Sequence, residues 1–216
     1  MRNMQVKKRF YYALGIIFSA LFLLAVSYLL TNFLSNNFHT VVPHTVYRSA
    51  QLDSDQLQYY IQKYHIKSVL NLEGGSSKYE WYRAELAVSK KMHVAHYDIS
   101  LGAHQLPTKT QLIAIVNILE QAPKPLLIHC KQGADRSGLV AAMSIILFKN
   151  DSTDDVLDQI SWQYNVISPT TIGYQVMRNY FSWLKHEHLL DNRINLLRWI
   201  NSARPLKYDY FGWFLT

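Results

Sequence analysis

From Phe10 to Leu34 the chain carries no charged side chain, and its apolar run is interrupted by residues such as Ser19, Ser27, Tyr28, Thr31 and Asn32. About 20 such residues cross a bilayer as a helix, so this stretch is expected to be a transmembrane anchor. Arg2, Lys7, Lys8 and Arg9 all precede it, and the next basic residue is Arg48. By the positive-inside rule the N-terminus is then cytoplasmic and the rest of the chain faces outward, which is the periplasm if the cell is Gram-negative. A cleaved signal peptide is the competing reading, because Ala25 and Ser27 are small residues at cleavage spacing. The apolar run continues past them through Leu29, Leu30, Phe33 and Leu34, which favours the anchor. Cleavage would export the domain equally.

The net charge of +7 resembles a nucleic-acid footprint until its position is considered. Four of the positive charges precede the apolar run, leaving 18 basic against 15 acidic residues, a balance of +3, for everything after it. No nucleic-acid partner is expected. The nine histidines, including His93, His96, His186 and His188, show no ligand spacing, so no metal and no other cofactor is expected. Cys130 is the only cysteine, which excludes an internal disulfide.

The expected organisation is a basic tip and anchor over 1–35, a linker over 36–44, a catalytic domain over 45–187, and a C-terminal helix with an aromatic tail over 188–216. Asp53 and Gln56 have capping-box spacing ahead of Leu57, Tyr60, Ile61 and Tyr64, which recur with helical period. Ile66 to Leu72 reads as a buried strand, Tyr79 to Lys91 as a helix, and His93 to Asp98 as a strand. Pro107, Thr108 and Gln111 start a helix with Leu112, Ile115, Val116 and Leu119 on its apolar face. Leu126 to His129 is a short strand, and Leu139 to Phe148, apolar on every side, a buried central helix. Val156, Leu157, Ile160 and Tyr164 are placed in one further helix, Thr170 to His186 in the next, and Leu190, Ile194 and Leu197 in a last one. Strands alternating with helices predict an α/β fold, a central mostly parallel sheet flanked by helices, after the N-terminal transmembrane helix.

Between that short strand and the buried helix lies His129-Cys130-Lys131-Gln132-Gly133-Ala134-Asp135-Arg136-Ser137-Gly138. A helix N-terminus presents free N–H groups and a positive dipole end, which together attract an anion. Gly133 permits a tight turn around it, and the Arg136 fork can hold two phosphate oxygens. These positive groups favour the thiolate form of Cys130. His129 to Ser137 matches the His-Cys-x5-Arg-Ser/Thr signature, and in it the chain resembles the protein tyrosine phosphatase superfamily, in its dual-specificity-like branch, over about Tyr47 to Tyr164. The resemblance implies a phosphatase that works through a phosphocysteine. It makes Cys130 the nucleophile, Arg136 the phosphate clamp, Ser137 the group that helps the thiolate leave, and His129 the residue that orients the loop and tunes the thiol. Lys131, Gln132, Gly133, Ala134, Asp135, Arg136, Ser137 and Gly138 would bind the phosphate.

The superfamily also uses a carboxylic acid to protonate the leaving oxygen, and Asp98, at the end of its strand and 32 residues before Cys130, is the expected donor. The alternative for Asp98 is a turn-forming role. Lys131 and Asp135 look like loop residues of lipid-directed phosphatases, or are simply solvated. Arg178, Lys185, Arg193, Arg198, Arg204 and Lys207, interspersed with Trp183, Trp199, Tyr208, Tyr210, Phe211, Trp213 and Phe214, read either as a headgroup-facing surface or as helical packing plus a tail. The expected partners are a phosphorylated protein or phospholipid substrate and the membrane. A catalytically inactive phosphate-binding module and a sulfurtransferase or arsenate reductase are the other classes this loop allows; a reductase is disfavoured by the lack of a second cysteine.

Overall fold

The computed structural model describes residues 2–149, 153–166, 168–202 and 205–208. The chain divides into two units, 1–35 and 36–216. The first is a single helix, α1 (Arg2–Leu34), whose stretch Phe10–Tyr28 is long and apolar enough to cross a membrane or to act as a signal sequence.

The second unit is built on a five-stranded sheet: β1 (His39–Val42), β2 (Val46–Ala50), β3 (Ser68–Asn71), β4 (Ala95–Asp98) and β5 (Leu126–Cys130), in the spatial order β1-β2-β5-β3-β4. β1 and β2 form an antiparallel hairpin, and all other neighbours are parallel. Parallel neighbours need crossover connections, which α2 (Ser54–Tyr64), α3 (Glu80–Lys91) and α4 (Lys109–Gln121) supply. The expected capping box closes, Asp53 accepting from the Gln56 N–H at 2.8 Å, and the helix start at Thr108 is a capping box too, Thr108 accepting from the Gln111 N–H at 3.2 Å. After β5 come α5 (Asp135–Phe148), α6 (Thr153–Asp158), a 3-10 turn (Trp162–Tyr164), α7 (Ile172–Glu187) and α8 (Arg193–Asn201).

β5 sits between β2 and β3 and is buried along its whole length. Successive strand side chains point to opposite faces, so Leu126, Ile128 and Cys130 join the core with α4, α5, α7 and α8, whereas Leu127 packs with α2 and α3. By the same parity Cys130 and His129, adjacent in sequence, serve opposite sides of the sheet. From Ser137 to Leu147 every residue of α5 is buried, as its all-round apolar sequence requires.

Three expectations are corrected. The stretch 36–44 is not a linker: its β-branched residues pair with β2 across the turn closed by Thr45 N–H to Val42 O at 3.0 Å, and Asn37 is 2 % exposed. The segment after 187 belongs to the domain core, but its helix is read in the wrong register. Asn192 caps α8 and its buried face is Leu196, Trp199 and Ile200, while Leu190 and Ile194 are exposed. Val156 to Tyr164 holds two elements, α6 and the 3-10 turn, because Ser161 starts a new cap. Of the two readings of the basic and aromatic C-terminal residues, helical packing is the one Trp183 and Trp199 follow, as core side chains; Arg204, Tyr210, Phe211, Trp213 and Phe214 lie outside the described residues.

Candidate active site

Cys130 is the last residue of β5 and Asp135 the first of α5, so the chain turns from strand to helix within the four residues 131–134. The turn closes with Gly133 N–H to Cys130 O at 3.3 Å, and Gly133 adopts φ +65°. A Cβ there would also lie 2.4 Å from the Ala50 nitrogen, so glycine is required by conformation and by space. The Cys130 sulfur, 2 % exposed, is 3.5 Å from Ser137 Oγ. Arg136 donates to Leu101 O at 3.4 Å and lies 3.8 Å from Glu73 Oε2, which holds its fork beside the loop.

Peptide planes are rigid, so N–H groups can converge on an anion only if the carbonyls across those planes point elsewhere and find donors. Asn37 and Arg48 provide them. Asn37 Nδ2 donates to Gly133 O at 2.9 Å and to Gln132 O and Tyr164 O at 3.2 Å. Arg48, fully buried on β2, donates from Nη2 to Gly133 O at 3.0 Å and Ala134 O at 2.8 Å, and from Nη1 to Gln159 O at 2.6 Å. Its guanidinium carbon lies 4.2 Å from the centre of the Tyr164 ring. Neither residue was anticipated from the sequence. The signal for Arg48 was a charge inside the run Val46-Tyr47-Arg48-Ser49-Ala50, where a strand buried on both sides tolerates a charge only in a polar network.

On the opposite face His129 Nε2 donates to Glu85 of α3, at 3.1 Å from Oε2, and His96 Nε2 reaches the same carboxylate at 2.7 Å. A carboxylate only accepts, so both rings carry a proton on Nε2. Burial alone would raise the Glu85 carboxyl, but the bonds from His129 and His96 outweigh it and hold its pKa at about 2. Asp98 continues this polar row. It pairs with Asn71, which pairs in turn with His129, across the sheet. One Asp98 oxygen accepts from Asn71 Nδ2 at 2.8 Å and the other from Tyr82 O–H at 2.6 Å, a bond that raises the Tyr82 phenol to about 12.

The pocket over Cys130 has a volume of about 360 Å³ and is lined by Lys131, Gln132, Asp135 and Arg136, by Ala103 and His104 of the loop after β4, and by Thr170 and Thr171. Asp98, the expected proton donor, is not among these residues, because strand parity turns it to the α3 side. Lys131 and Gln132 are exposed at the rim. The Asp135 carboxylate accepts from the N–H groups of Ile172 at 3.0 Å and Gly173 at 2.6 Å, which makes it the anchor of the α7 N-terminus. Burial raises its pKa, against those two bonds and the nearby charges of Arg136 and His104.

The family profile Tc-R-P, described as polymorphic toxin system, DSP-PTPase phosphatase, matches residues 43–150, a span that contains the hairpin turn, the cradle and Cys130. The chain belongs to this DSP-PTPase phosphatase family. A DSP-PTPase of this kind is a cysteine-dependent phosphatase. Solved structures share its fold. P. aeruginosa TpbA, in complex with pTyr, is 22 % identical with a TM-score of 0.50, over 61 % of this chain and 76 % of that one. The core catalytic domain of the PP-IP phosphatase SIW14 from S. cerevisiae, in complex with citrate, is 21 % identical with a TM-score of 0.55, over 80 % and 96 %. PTPMT1 is 18 % identical with a TM-score of 0.53, over 70 % and 98 %. No match was found among curated proteins.

The Glu85 site of the DSP-PTPase makes a pH prediction. Its folded pKa, about 2, lies below the ordinary value near 4.5, so its contribution is complete above that value and disappears as pH falls toward 2. Urea titrations from pH 7 down to pH ~2 should show wild type losing on the order of 3 kcal/mol that Glu85→Gln has already lost at neutral pH. Parallel pH curves for the two proteins would contradict the assignment.

Proposed function

We propose that the chain is a membrane-tethered phosphomonoesterase whose phosphate site is the 129–138 loop, with the catalytic domain outside the cytoplasm. The observation that carries this is the meeting, in one pocket, of a buried thiol, a guanidinium fork and the N-terminus of α5. Cys130 as thiolate attacks phosphorus, the bond to the leaving oxygen breaks, and the phosphoryl group rests on sulfur. Arg136 holds two of its oxygens throughout. Water then attacks phosphorus, the P–S bond breaks, and Ser137 Oγ, 3.5 Å from the sulfur, stabilises the departing thiolate. His129, fixed by Glu85, holds the strand end on which Cys130 sits.

The proton donor to the leaving oxygen is His104. For Asp98 to serve, its carboxylate would have to leave both Asn71 and Tyr82 and come round to the Cys130 side of the sheet. Asp135 lines the pocket, but both its oxygens are engaged by α7. His104 lines the same pocket from the loop above it, and imidazole is the side chain best suited to give and take a proton near neutral pH. It gives its proton to the leaving oxygen in the first step and takes one from the attacking water in the second.

The substrate is a phosphorylated protein or a phospholipid, and one observation favours the lipid. On the same loop, two residues beyond His104, begins a mostly apolar cleft of about 370 Å³ lined by Leu106, Pro107, Leu112, Trp199, Ile200 and Leu206, with Thr108, Lys109 and Ser202 as its polar lining. An acyl chain suits such a lining better than a peptide backbone does, because the backbone's polar groups would go unpaired there.

Cys130→Ser should abolish phosphate release from phosphopeptides and phospholipids alike while still binding vanadate, because the loop donors and Arg136 remain. Near-wild-type turnover would overturn the nucleophile, and faster release from phosphopeptides than from phospholipid vesicles would overturn the lipid reading. His104→Gln should slow hydrolysis of alkyl phosphates by about 10²-fold or more but of p-nitrophenyl phosphate only slightly, since nitrophenolate departs without a proton. Asp98→Asn should affect both substrates equally and mildly; the selective defect appearing in Asp98→Asn instead would return the role to Asp98. A reporter enzyme active only outside the cytoplasm, fused after Thr216, should be active, because Arg2, Lys7, Lys8 and Arg9 lie on the N-terminal side of the apolar run. Activity from a cytoplasm-only reporter would reverse the orientation.

A further inference from the structure

We propose that Arg48 is the counter-charge of the Cys130 thiolate, a positioning residue that keeps the nucleophile ionised as well as holding the cradle. The inference rests on reading Cys130 as the nucleophile and adds a residue that the sequence signature does not contain.

Arg48 is 0 % exposed, yet among the described residues it forms no ion pair with a carboxylate. Its bonds run to neutral acceptors: the carbonyls of Gln159, Gly133 and Ala134, and Gln159 Oε1 at 3.4 Å. Its Nε has no partner among the described residues. An isolated charge in such a place is strongly unfavourable, and burial lowers the guanidinium pKa to about 10, against the opposing influence of Tyr164 and Cys130. It therefore stays cationic at neutral pH, in need of a negative partner.

The sheet supplies one. In the β2–β5 register Arg48 lies opposite Ile128, and Ala50 opposite Cys130. Arg48 and Cys130 thus project from the same face of adjacent strands, two positions apart, with the loop folded over both. Attraction between two charges is mutual, so a thiolate that favours the guanidinium is favoured by it to the same extent. The same fork turns the Gly133 and Ala134 carbonyls toward itself. Across those two peptide planes the N–H groups of Ala134 and Asp135 are directed away from Arg48. One buried cation thereby orients the anion donors and charges the nucleophile beneath them.

The test separates charge from packing by following the rate of Cys130 alkylation by iodoacetamide against pH in the full-length protein. Arg48→Gln keeps a donor for the loop carbonyls but removes the charge. Its alkylation midpoint should rise by about one pH unit, a tenfold change in the thiol ionisation constant. Arg48→Lys keeps the charge and should keep the midpoint within a few tenths of a unit of wild type, although its single ammonium weakens vanadate binding. An unchanged midpoint in folded Arg48→Gln would overturn the proposal. A rise in Arg48→Lys as large as in Arg48→Gln would overturn it too, and this arm decides the matter if Arg48→Gln does not fold. Alkylation is read without turnover, so failure here is distinct from failure of the nucleophile assignment, which Cys130→Ser reports.

Discussion

The structure depends on one requirement of the peptide group: N–H donors can surround an anion only where the carbonyls on the other side of the same planes are satisfied. In the turn from β5 to α5 the satisfying groups come from far away in sequence, Asn37 before β1 and Arg48 in β2. They reach the loop because β2 is inserted directly beside β5, and because Gly133 leaves room for the Ala50 backbone at a distance no side chain would permit. The N-terminal hairpin is therefore part of the architecture of the proposed phosphate loop.

Strand parity explains the second division in the site. Cys130 looks toward α5 and the pocket, while His129 looks toward α3 and joins Glu85 and His96 in a buried polar row that Asn71 and Asp98 extend along the sheet. The row braces the strand end that carries Cys130. At its centre a single carboxylate accepts from two imidazoles, while His129 Nδ1 is buried without a partner among the described residues. The pocket side draws instead on the loop between β4 and α4, tied down by Gln111 Nε2 to Ser100 O at 2.7 Å and by Leu101 O to Arg136.

Local features were legible in the sequence because short-range physics determines them. The capping box at Asp53, the helix start at Thr108 and the all-round apolar α5 are each decided within a few residues. What escaped depends on pairing between distant strands. Asp98 ends a strand at the right distance from Cys130, but its side of the sheet is set by pairing with Asn71 and His129, which spacing along the chain does not reveal. The segment 36–44 looked like a linker because four-residue strands carry little periodicity, and only the hairpin partner shows that Val41 and Val42 are core. For α8, Leu190, Ile194 and Leu197 offered as good a helical spacing as Leu196, Trp199 and Ile200, and the cap at Asn192 chose between them.

If Cys130 carries the phosphoryl group between the two chemical steps, the covalent enzyme can be caught in the act. Rapid quenching during turnover of p-nitrophenyl phosphate, followed by mass spectrometry of the enzyme's peptides, measures this directly. The expected result is a phosphoryl adduct on the peptide containing Cys130, formed and lost at rates that match turnover and missing in Cys130→Ser. An adduct on another residue, or active turnover with no adduct on Cys130 at any time, would contradict it.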